Sequence, residues 1–94
     1  MFVIILRFAD KTKAASLIDA HNDWIDRGVA DGVFLLVGSL QPSAGGMILA
    51  QDASPAAIAA RVQDDPFVAH GVVVAEILAV APGRTDARLA FLKG

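Results

Sequence analysis

The chain has 94 residues, enough for one hydrophobic core and too few for two. Hydrophobic residues make up 55% and charged residues 19%, a balance that excludes disorder, and the eight basic residues, scattered from Arg7 to Lys93 in a chain of net charge −2, form none of the clusters that nucleic acid demands. Cysteine is absent, which excludes disulfides, zinc ribbons, thiol nucleophiles and redox motifs, and is in keeping with a cytoplasmic protein.

Phe2 to Phe8 is a short apolar run rich in β-branched and aromatic residues and is expected to form a first strand. It has no basic leader and Arg7 cuts it short, so it does not have the pattern of a signal peptide. From about Lys13 to Val29 the period changes: Leu17, Ile18, His21, Trp24, Ile25 and Gly28 recur at helical spacing, while Asp19, Asn22, Asp23, Asp26 and Arg27 fall on the polar side. Asp10 or Thr12 is placed to cap this helix, and Gly28 or Gly32 to end it. Gly32 to Gln51 carries no charge and approaches the ~20 residues of a membrane helix. Gly38, Pro42, Gly45 and Gly46 interrupt it, so the expectation is two strands, Val33–Leu40 and Gly46–Ala50, joined by a hairpin. Ser54-Pro55 starts a second helix running to about Gln63, Asp64-Asp65-Pro66 is further punctuation, and Val72 to Val80 is the last strand. Residues 83–94 form a tail with an apolar patch at Leu89 to Leu92, leaving residues 1–82 as the domain.

The order β-α-β-β-α-β is the split pattern of a ferredoxin-like α+β fold, with two helices covering one face of a four-stranded antiparallel sheet. A sheet with one wet face should alternate apolar and polar residues. These strands are apolar on both sides: Phe2, Ile4, Leu6 and Phe8 oppose Val3 and Ile5; Val33, Leu35 and Val37 oppose Phe34, Leu36 and Leu40; Val73, Ala75 and Ile77 oppose Val72, Val74 and Leu78. The tail is too short to cover four strands. The expectation is therefore a homodimer through the open sheet face, with the tail adding contacts to the partner.

His21 lies on the apolar stripe of the first helix and so points toward the sheet. Imidazole titrates near neutrality, which suits it to proton transfer, although a core histidine bonded to a backbone carbonyl fits the same position. Asp65 before Pro66 is by pattern a helix cap. Should it also come near His21, a carboxylate on one ring nitrogen would fix the tautomer and make the other nitrogen the better base. His70 and Ser39 are further polar candidates, just before the last strand and at the end of the second, and Trp24 and Phe67 are candidate apolar walls. Gly38-Ser39-Leu40-Gln41-Pro42 is no nucleophile elbow, no P-loop or dinucleotide fingerprint is present, and His21, Asp23 and Asp26 diverge around the helix, so neither cofactor nor metal is expected.

His21-Asn22-Asp23-Trp24 on a helix, Leu36-Val37-Gly38-Ser39-Leu40 at a strand end and Asp64-Asp65-Pro66-Phe67-Val68 before the last strand together resemble the YciI-like family over residues 1–82. The resemblance implies two ferredoxin-like subunits joined as a dimeric α+β barrel, and a pocket centred on a histidine and an aspartate, here His21 and Asp65. It relates the chain to muconolactone-isomerase-type proteins, with a chloroaromatic-pathway dehydrochlorinase among the family's members. The implied activity is cofactor-independent proton transfer on a small organic acid or lactone, as an isomerase, lyase or dehydrohalogenase. A non-catalytic dimeric binding module is the alternative. Two departures stand out: members usually carry Gly-Pro at Gly38-Ser39, and rarely a histidine at His70.

Overall fold

The β-branched run at the start of the chain becomes the hub of the sheet. In the computed structural model, which describes residues 1–51 and 53–93, β1 (Phe2–Phe8) is hydrogen-bonded on both sides. It pairs antiparallel with β3 (Gly45–Ala50) and with β4 (Val73–Ala79), while β2 (Phe34–Leu40) pairs with β3, giving the order β2-β3-β1-β4. α1 (Ala14–Ala30) connects β1 to β2, and α2 (Pro55–Gln63) leads through α3 (Pro66–Ala69) to β4. This is the ferredoxin-like architecture expected from the order of elements. The Asp64-Asp65-Pro66 punctuation opens a third short helix rather than a plain turn, and single 3₁₀ segments occupy Lys11–Lys13 and Ala87–Lys93. No helix among the described residues is long and apolar enough to cross a membrane.

Local chemistry explains where these elements begin. Asp10 accepts hydrogen bonds from the Thr12 hydroxyl at 2.7 Å and the Thr12 backbone N–H at 2.9 Å, which hold its carboxyl below the usual carboxylate range. Ser54 accepts from the Ala57 N–H at 3.1 Å, with Pro55 at the first position of α2. Gly32 follows α1 with φ +74°, a left-handed conformation that stops the helix at low cost.

The helix-facing side of the sheet carries the core. Cross-strand register sets its residues in rows: Phe34, Ala50, Phe2 and Ala79 at one end, Val37, Ile48, Ile4 and Ile77 in the middle, then Ser39, Gly46, Leu6 and Ala75. β2 departs from the alternation expected of it. A bulge between Phe34 and Leu36 inserts Leu35, so that Phe34 and Val37 share the helix-facing side, whereas strict alternation would set them on opposite faces. The bulge seats the Phe34 ring against α1, edge-on to Trp24 at 5.1 Å between centroids. Gly28 is what permits this approach, because a Cβ there would overlap the Phe34 ring.

Replacing a helical glycine by alanine ordinarily stabilises by up to ~1 kcal/mol, but a side chain forced into a packed core costs ~1–3 kcal/mol. Gly28→Ala is therefore expected to destabilise the fold by ~1–2 kcal/mol, read as a lower urea midpoint at unchanged slope.

Candidate active site

The hollow in this structure follows from the third row of the sheet. Ser39 and Gly46 are small, and Gly46 contributes no side chain beneath α1. The consequence is a cavity of about 350 Å³ between sheet and helix, walled by Leu6, Phe8 and Ile25, with His21, Asn22 and Ser39 as its polar side chains and Phe67 beside them.

α1 directs His21 into this wall, and α3 brings Asp65 to it from behind. The Asp65 carboxylate is fully buried, and its Oδ1 lies 2.7 Å from His21 Nδ1. The same oxygen accepts the Phe67 backbone N–H at 3.0 Å, so the N-cap of α3 and the partner of the imidazole are one atom. Oδ2 is buried with no hydrogen-bond partner among the described residues. An ionised carboxylate can only accept, so Nδ1 carries the proton of this bond, and in the neutral imidazole Nε2 then keeps its lone pair. No protein group bonds Nε2 among the described residues, and the side chain keeps 12% of its surface exposed. The ring lies flat on Phe67, centroids 4.0 Å apart and planes 6° from parallel. That stack and the Asp65 bond leave the imidazole little freedom to turn.

The remaining candidates are distributed differently. Ser39 and Phe67 line the cavity. Trp24 does not: it is buried in the core, donates its indole N–H to the Arg61 carbonyl at 2.9 Å, and borders a separate groove between α1 and α2. His70 is exposed, ends α3 and lies outside the cavity. Asn22, placed on the polar side by helical periodicity, lines the cavity beside His21. Gly46 is legible in the sequence only as the first residue of a strand after the hairpin. Its role as the missing side chain depends on pairing with both Ser39 and Leu6, a long-range register.

A four-stranded antiparallel sheet with a His-Asp pair set over a cavity on its helical face defines a small ferredoxin-like α+β protein with an imidazole-lined pocket. The chain belongs to the YCII-related domain family, whose model matches residues 1–81. Among solved structures it is similar to the 5-chloro-2-hydroxyhydroquinone dehydrochlorinase TftG from Burkholderia phenoliruptrix AC1100, in complex with 2,5-dihydroxybenzoquinone. That likeness has a TM-score of 0.67 at 18% identity and covers 88% of this chain and 96% of the other. No curated protein matches the sequence significantly.

Because one oxygen of Asp65 makes both bonds, its two roles can be separated by substitution. Asp65→Ser retains a cap acceptor for Phe67 N–H and loses the imidazole partner; Asp65→Ala loses both. Asp65→Ala is expected to unfold at lower urea than Asp65→Ser, by ~1 kcal/mol for the cap. In both variants the ¹⁵N spectrum of His21 should change from one tautomer to a mixture.

Proposed function

We propose that this protein is a cofactor-independent acid–base catalyst in which His21 Nε2 removes a proton from a small ring compound. Asp65 orients the imidazole and stabilises it once protonated. The observation that carries this reading is the 2.7 Å His21–Asp65 contact at the wall of the cavity, with the second ring nitrogen unbonded. The abstracted proton would come from a ring hydroxyl or from a carbon next to a carbonyl, which a quinol acquires by tautomerising to its keto form. The electron pair then either expels a leaving group such as chloride, an elimination, or takes up the proton at another carbon, an isomerisation. Asn22 and Ser39 supply hydrogen bonds to substrate oxygens. The dehydrochlorinase activity of TftG makes chlorinated hydroxyquinols the first compounds to test, with unsaturated lactones and small organic acids after them.

A second reading, a non-catalytic binding module, draws on the Asp65–Phe67 hydrogen bond, which gives the carboxylate a structural reason to be where it is. The two readings separate on turnover. Wild-type protein is expected to release chloride from 5-chloro-2-hydroxyhydroquinone or to isomerise a lactone of the panel. His21→Gln, folded to the same urea midpoint, should lower that rate by ~10²–10⁴-fold, the usual worth of a general base. Equal rates for His21→Gln and wild type, or no turnover across the panel, would favour the binding module.

The proposed assembly is a homodimer, and the proposed compartment the cytoplasm. Val74, Leu36 and Leu78 are 65%, 52% and 44% exposed on the face of the sheet away from the helices, next to the half-buried Val3, Ile5, Met47 and Leu49. A second copy packed on this face would cover them, with Leu89 and Phe91 of the tail as further apolar surface. Sedimentation at micromolar concentration is expected to give twice the 9.8 kDa chain mass. Val74→Asp should shift the protein to monomer while leaving its helical circular dichroism intact.

A further inference from the structure

The cavity joins a hydrogen-bonding ensemble to a complete lack of positive charge. Its polar side chains are His21, Asn22 and Ser39, and no lysine or arginine lines it among the described residues. The two remaining residues of the chain, Asp52 and Gly94, bring no cationic side chain either.

Lys11, Arg7 and Arg61 each have other partners. Lys11 Nζ donates to the Ser43 carbonyl at 3.3 Å and sits 4.6 Å over the ring of Phe8, and Lys11 itself does not line the cavity. Arg7 pairs with Glu76 at 3.1 Å, on the opposite face of the sheet. Arg61 pairs with Asp31 at 2.9 Å and borders the separate groove between α1 and α2.

His21 does not make up the deficit. Were its ring protonated, the charge would be matched by the Asp65 carboxylate bonded to it, and Asp65 Oδ2 has no other donor among the described residues to neutralise it. An anionic ligand would therefore give up its hydration to meet a pair that offers no net positive charge, zero with the imidazole protonated and −1 with it neutral. A neutral hydroxyl or carbonyl meets no such penalty: Asn22 and Ser39 can both donate and accept, and His21 Nε2 accepts. At about 350 Å³ the hollow lies near the lower end of the ~300–1,000 Å³ range of ligand sites, room for a single ring with small substituents.

We infer that this cavity takes uncharged hydroxylated or carbonyl-bearing rings, of the phenol, quinol or lactone class, and discriminates against carboxylates and phosphates of the same size. The inference rests on the acid–base reading above and narrows it: the substrate arrives neutral, and the proton His21 takes is its own weakly acidic hydroxyl or activated C–H. Small organic acids in their carboxylate form are then outside the substrate range.

A matched pair of probes tests this without any turnover. The compounds para-hydroxybenzamide and para-hydroxybenzoate share ring and shape and differ in charge. Each is titrated into the ¹⁵N-labelled full chain at neutral pH, following the amide signals of Ser39, Gly46 and Phe67. The expected result is saturable perturbation by the amide with a Kd about tenfold or more below that of the carboxylate. Lys11→Met should leave that ratio unchanged, since Lys11 does not line the site. Equal or tighter binding of the carboxylate would overturn the inference, as would perturbation by neither compound. A ratio that changes in Lys11→Met would overturn it too, by assigning Lys11 to the site. The titration also keeps the two proposals apart. A cavity that prefers the amide but never turns over a substrate fails only as a catalyst; an active enzyme that prefers the carboxylate fails only in substrate class.

Discussion

One carboxylate oxygen holds the candidate site of this molecule together. Asp65 Oδ1 fixes the first turn of α3 through the Phe67 N–H and fixes the imidazole of α1 through Nδ1. Buried charge is costly unless it is bonded, so both contacts are needed to keep a fully buried aspartate where it is. The Phe67 ring, positioned by the same capped turn, then covers one face of the imidazole. Removing this atom would loosen the α1–α3 junction and the candidate base together. Stability and chemistry are coupled here through a single group.

The space in front of that base has an equally simple origin. Two of the three rows on the helical side of the sheet carry the buried residues Phe34, Phe2, Ile48 and Ile4, with residues of α1 and α2 packed above them. The third contains Ser39 and Gly46 and cannot be filled from below. Nothing in the helix compensates: α1 turns Ile18, His21, Asn22 and Ile25 to the cavity and leaves it open. The cavity is thus a packing deficit written into the register of β2, β3 and β1, bordered by the buried core residues Leu6 and Ile48. Close packing elsewhere is what makes such a deficit persist rather than collapse.

Much of the fold can be read from the chain itself. Phe2–Phe8 and the helical stripe through Leu17, Trp24 and Ile25 carry strong periods, and Ser54-Pro55 marks a helix start by its chemistry alone. The Asp64-Asp65-Pro66-Phe67-Val68 segment is specific enough to indicate the family. What escapes depends on non-local geometry. The β2 bulge is decided by how Phe34 meets Gly28 and Trp24, so simple alternation assigns its side chains wrongly. Helical phase identifies Trp24 as inward-facing without distinguishing core from cavity, since both lie on that side of α1; its indole N–H finds the Arg61 carbonyl instead. Cap and imidazole partner look like competing roles for Asp65 in one dimension. They coincide because a carboxylate oxygen has more than one lone pair.

Trp24 has a consequence of another kind. It is the sole tryptophan in a chain with no tyrosine, so near-ultraviolet emission from this protein comes essentially from one indole. That indole is sealed from solvent, bonded to α2, and 5.9 Å from the His21 ring with the planes 27° apart. The molecule thus contains an intrinsic optical reporter one helical turn from its candidate base, without any label being added.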